Sequence, residues 1–147
     1  MGPFIRVQSP KFVVLPGEDD ELVNPGMYGK ALAEYLVPAL RERGYEVPFV
    51  GCEDWGWWIE LAGHPFVFGV CIYGVKLSDG RLDLYLTDGA IAASQWSWRR
   101  FRFISTAAVV EKLHSDLIAI FRADSDVQLL GTDLEGPFVD YPSDADE

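Results

Sequence analysis

The chain has 147 residues and a formal net charge of −11; 49% of its residues are hydrophobic and 14% aromatic. That size and composition fit a single domain with ample core material and exclude disorder across the whole chain. No apolar run reaches the roughly 18–20 residues that a membrane-spanning helix needs, and the acidity argues against nucleic acid as a direct ligand.

In chain order, FIRV (4–7) and KFVVL (11–15) predict one or two short strands closed by Pro16-Gly17. The acidic loop Glu18, Asp19, Asp20 and Glu21 follows. Asn24 as a cap and Pro25 at the first helical position predict a helix start, with the loop carboxylates near its positive end. Tyr28, Leu32, Tyr35, Leu36, Ala39 and Leu40 recur at helical spacing, Pro38 should bend the helix, and Gly44 fits a left-handed cap.

The pattern then changes to strands. YEVPFV (45–50) carries Pro48 and belongs at a sheet edge. In WGWWIEL, Trp55, Trp57, Ile59 and Leu61 alternate with Gly56, Trp58 and Glu60, so the first set is expected inward. FVFGVCIYGV (66–75) is apolar on both faces and reads as a central strand, and Ser78-Asp79-Gly80 signals a hairpin. RLDLYLTD (81–88) predicts Leu82, Leu84 and Leu86 inward, with Arg81, Asp83 and Tyr85 outward. SQWSWRRFRF (94–103) changes the parity of its bulky residues, which suggests a bulge near Arg99 or a loop before a short strand. A second helix should run from Ser105 or Thr106 to about Arg122, and DVQLLG (126–131) should form a last strand.

These elements give the order β-α-β-β-β-β-α-β. The implied fold is α+β, a two-layer sandwich with a largely antiparallel sheet and two helices on one face, or with the first helix as a crossover to a parallel edge strand. Residues 1–132 are expected to form one domain and 133–147 an acidic, mobile tail. Asp133, Glu135, Asp140, Asp144, Asp146 and Glu147 supply the tail's charge; apart from these and the acidic loop, the chain is nearly neutral.

Chemistry leaves few traces. Cys52 and Cys71 are too far apart for a C-x-x-C site and read as buried thiols, and the count of only two histidines, His64 and His114, argues against a zinc site. No phosphate-binding glycine loop or nucleophile elbow is present, and no Ser or Cys stands near a His in a pattern that signals an activated nucleophile. Glu53 and Asp54 point to opposite faces of an extended strand, and Asp54 and Glu60 stand about 20 Å apart at strand rise, so neither pair is an acid–base dyad. No catalytic residue, cofactor or metal is expected, and the absence of signal-peptide features points to a cytoplasmic protein.

NPGMYGKALAEYL (24–36) and EDWGWW (53–58) together resemble a family of small, uncharacterised bacterial α+β proteins. The likeness spans most of 4–131 and implies a bacterial cytoplasmic origin; it supplies no catalytic residues. The expected function is a non-enzymatic binding module for a basic protein partner, in the manner of immunity or adaptor proteins. Glu53, Asp54 and Trp58 would form its surface and Glu18, Asp19, Asp20 and Glu21 its steering charge. Separately, Trp58 with Trp96 or Trp98 and Arg99, Arg100 and Arg102 could make an exposed aromatic-basic surface, or those arginines could dock the chain's own acidic loop or tail. The alternative is a small-molecule pocket between the first helix and the 53–58 segment, lined by Tyr28, Glu53, Asp54 and Trp58, with Asp54 as general base. A nucleic-acid mimic would need carboxylates spaced along one face, and here they are clustered. Glu53 and Asp54 could instead cap neighbouring amides.

Overall fold

The computed structural model describes residues 2–64, 66–88, 94–97, 102–105 and 107–138, with backbone only for 94–97 and 102–105. Its elements are β1 (Phe4–Gln8), α1 (Glu18–Glu21), α2 (Lys30–Glu42), β2 (Glu46–Glu53), β3 (Gly56–Ala62), β4 (Gly69–Lys76), β5 (Leu82–Asp88), β6 (Ser94–Ser97), β7 (Arg102–Ser105), α3 (Ala107–Arg122) and β8 (Gln128–Leu134). Six strands form one sheet in the order β2-β3-β4-β5-β1-β8, and β6 and β7 pair separately. Every pairing among them is antiparallel, so the fold is α+β and no described strand joins in parallel.

The sheet is a meander extended at one side by the two distant strands. β2 to β5 follow one another as neighbours, whereas β1 enters between β5 and β8. The tight connection after β4 forms as its residues require: Gly80 adopts a positive φ of 89°, and Leu77 accepts from the Gly80 amide and donates to the Arg81 carbonyl. β2 lies at the sheet edge, where Pro48, which has no N–H, is tolerated.

One buried cluster joins the stripes of both long helices to alternate strand residues. Leu32, Leu36 and Leu40 of α2 and Leu113, Leu117, Ile120 and Phe121 of α3 belong to it with Ile5, Val7, Trp57, Ile59, Ile72, Leu84 and Leu86. The strand members share a face by register, through Trp57–Ile72, Ile72–Leu86 and Ile5–Leu86. Gly44, at φ 93°, ends α2 as expected.

Several expectations need correction. KFVVL forms no strand, and β1 alone precedes the acidic turn. The helix begins at Lys30 rather than after Asn24, because another residue satisfies its first amides, as described below. SQWSWRRFRF is not one bulged strand: its described residues belong to β6 and β7, which pair antiparallel with Trp96 opposite Phe103, while 98–101 lie outside the described residues. Asp83 and Tyr85 are not outward in water but fully buried. Arg6 grips both carboxylate oxygens of Asp83 at 3.0 Å, Gln8 donates to the same carboxylate, and the Tyr85 ring meets Phe138 edge-on at 4.9 Å. Beyond β5, β8 continues to Leu134, two residues into the expected tail; residues 139–147 lie outside the described residues.

The tryptophan stretch divides differently as well. Trp57 is core, as expected, but Trp58 is also buried, at 9% exposure. Gly69 makes room for it: a Cβ there would come within 2.6 Å of the Trp58 ring. Trp55 lies in the hairpin turn and packs against Trp58 and Tyr73, away from the row of Trp57, Ile59 and Leu61 it was expected to join. The side chains of Trp96, Trp98, Arg99, Arg100 and Arg102, and hence the aromatic-basic patch, lie outside the described residues.

Candidate functional site

The acidic loop folds as the short turn α1, and its four carboxylates have different tasks. Glu18 is fully buried. One carboxylate oxygen accepts from the Leu15 amide at 3.0 Å; the other accepts from the Gly29 and Lys30 amides at 3.0 and 3.1 Å. It therefore occupies the N-terminus of α2 and supplies the acceptors that the first helical amides lack. Gly29 is needed at this junction because a Cβ would meet Ile72 at 2.8 Å and Trp57 at 3.1 Å.

Asp19 accepts a 2.6 Å hydrogen bond from the Tyr28 hydroxyl, and this bond is the main cause that holds the phenol above its ordinary pKa. Glu21 pairs with Lys30, a contact that likewise raises the lysine pKa. Asp20 is exposed.

The same corner receives the β2–β3 hairpin. Asn24, expected as a helix cap, instead donates its side-chain amide to the Asp54 carbonyl at 2.6 Å. The Trp57 indole donates to the Met27 carbonyl at 3.1 Å. The exposed Glu53 and Asp54 are thereby held at the tip beside the acidic turn. The expected steering loop and the expected surface pair thus come together, although they are some thirty residues apart in sequence.

Between α2 and β2 lies a groove of about 420 Å³. Val37, Pro38, Val50, Cys52 and Trp57 give it an apolar lining, while Glu21, Lys30 and Glu34 supply its charge. Lys30, Glu34, Val37 and Pro38 recur at helical spacing, a second stripe beside the buried one. This groove is where the alternative reading put a pocket, but Tyr28, Glu53, Asp54 and Trp58 do not line it. Trp58 projects from the opposite sheet face, since its register partner is Cys71 whereas that of Trp57 is Ile72. Asp54, outside the groove, has no position from which to act there as a general base. The sequence assigns none of Lys30, Glu34, Val37, Pro38, Val50 and Cys52 to a site, reading Pro38 as a helix bend and Cys52 as a buried thiol; the 30, 34, 37, 38 spacing is the signal that points to a groove.

Both cysteines are free and half-buried. Burial pushes the Cys71 thiol up to about 11, which disfavours the reactive thiolate. Among the described residues no group of three or more His, Cys, Asp or Glu is placed to hold a metal ion, and no helix is long and apolar enough to cross a membrane. The chain matches no family model, and no curated protein or solved structure matches it significantly. The resemblance to small bacterial proteins rests on its quoted residues alone.

Proposed function

We propose that the chain is a non-enzymatic binding module that engages a basic segment of another protein at the corner between the acidic turn, the Glu53–Asp54 tip and the groove beside α2. The observation that carries this reading is the groove itself: an apolar floor with Glu21 and Glu34 at its border and Asp20, Glu53 and Asp54 exposed nearby. Among the described residues Lys30 is the only cation in the lining, and it is paired with Glu21. Apolar contact bordered by net negative charge favours a partner of the opposite sign and steers its approach. Trp58 has no part in this surface, so its centre moves from the tryptophan stretch to α2 and β2.

Fluorescence anisotropy with labelled oligolysine and oligoglutamate tests the charge requirement. Oligolysine should bind, and binding should fall about tenfold in high salt. Reversing Glu34→Lys together with Glu53→Lys should abolish it. Equal binding of the two probes, or indifference to the reversals, would overturn the reading.

A small amphipathic molecule is the second reading, favoured by the groove volume, which lies in the range of small-ligand sites. Thermal shift with a panel of small aromatic amines distinguishes it, because such a ligand would raise Tm where oligolysine does not.

A further inference from the structure

We infer that the partner docks as an added strand on the free edge of β2, with alternate side chains entering the groove beneath α2. This rests on the binding reading above and specifies how the basic segment is held.

Glu53 pairs with Gly56 across the two-residue turn Asp54-Trp55, so this closing pair exchanges hydrogen bonds within the hairpin. Bonded and non-bonded pairs alternate along an antiparallel ladder. Gly51–Trp58 and Phe49–Glu60 are therefore bonded pairs, whereas at Cys52–Trp57 and Val50–Ile59 the β2 residues turn their N–H and C=O groups away from β3. β2 is the outermost strand of the sheet, so those groups face an edge that no described strand pairs with.

The other half of this edge is closed. Arg41 donates to the Val47 carbonyl at 2.9 Å, and Pro48 has no N–H to offer. Proteins blunt edges in this way to prevent unwanted pairing. From Val50 to Cys52 neither device is present.

The same two residues place their side chains in the groove. Val50 and Cys52 line it opposite Lys30, Glu34, Val37 and Pro38. An incoming strand would thus find backbone partners and side-chain space at one place, the arrangement on which strand addition depends. Charge defines the occupant. With Glu21 and Glu34 on the helix side and Glu53 at the end of β2, an extended segment with apolar residues between two basic ones is complementary.

The probes are the peptides Lys-Ser-X-Thr-X-Ser-Lys, where X is Val, Ile, Leu or Phe, with blocked ends. Both lysines and both X residues then share a face. Amide hydrogen exchange of the full chain, read by NMR with and without saturating peptide, is the test. The Val50 and Cys52 amides should slow at least about tenfold on binding, while Phe49 and Gly51, already bonded to β3, should change little. N-methylating peptide amides that face β2 should weaken binding about tenfold, and N-methylating the alternate amides should not.

Binding without protection of Val50 and Cys52 would overturn strand addition and leave the basic-partner reading standing. Failure of these peptides and of oligolysine together would overturn both. Protection that rises with protein concentration in the absence of peptide would assign the edge to a second copy of the chain and overturn the inference.

Discussion

The acidic pairs Glu18-Asp19 and Glu53-Asp54 look alike in sequence, each lying near the end of an element, yet the fold uses them in opposite ways. Glu18 is sealed from solvent and accepts three backbone hydrogen bonds, two of them from the start of α2. Glu53 and Asp54 stand exposed, and what anchors them is the Asp54 main-chain carbonyl bonded to Asn24, leaving both charges to solvent. Composition reads both pairs as surface charge. Burial separates a carboxylate that builds the corner from carboxylates that the corner displays.

The most severe way to break the contrast is Glu18→Ala. It leaves the Leu15, Gly29 and Lys30 amides without their acceptor and should cost about 3 kcal/mol, read as a lower midpoint in urea denaturation. Glu18→Gln keeps one carbonyl acceptor and should cost less. A loss under about 0.5 kcal/mol for the alanine variant would show that the turn holds without its central group. Next in size is Asn24→Ala, which unties the loop from the hairpin; about 0.5–1 kcal/mol is expected, with faster amide exchange across 53–56.

Alkaline pH tests the phenols that brace this layer. Burial, then the bond to Asp124, pushes Tyr35 from 10.0 up to about 12. The folded form keeps its proton where the unfolded one has lost it, so this contribution is complete below about 10 and is lost as pH rises toward about 12. Tm should fall across that window, and Tyr35→Phe should flatten the fall. The smallest stability effect belongs to Glu53→Gln with Asp54→Asn, which should stay within about 0.5 kcal/mol of wild type while weakening oligolysine binding. A large loss of stability there would erase the distinction between the two pairs.

Several local signals in the sequence carry over to local structure, although the strand-like KFVVL does not. The stripe of Leu32, Leu36 and Leu40, the turn at Gly80 and the edge position of the Pro48 strand all follow from spacing and backbone chemistry within a few residues. The failures depend on distance. No motif links Glu18 to amides at 15, 29 and 30, so Asn24 looked like the cap. Trp58 has Gly56 and Glu60 on its own strand face, which suggests water; its burial is decided across the ladder by Gly69 and by Trp55 folding back from the turn. Asp83 looked solvent-facing because its partner Arg6 lies 77 residues away. The groove was half legible: α2 carries its stripe openly, but only the sheet order reveals that β2 is the strand beside it.

That distant pair, Arg6 with Asp83, also bears on how the chain finds its fold. β2 to β5 can assemble as successive hairpins, whereas β1 must wait for a strand made long after it and then settle between β5 and β8. A shift of β1 by one residue would turn Arg6 and Gln8 to the other face and strand the buried Asp83 carboxylate without them. The ion pair thus bears on register: a misaligned β1 forfeits the Arg6 and Gln8 bonds to Asp83, which favours the observed alignment.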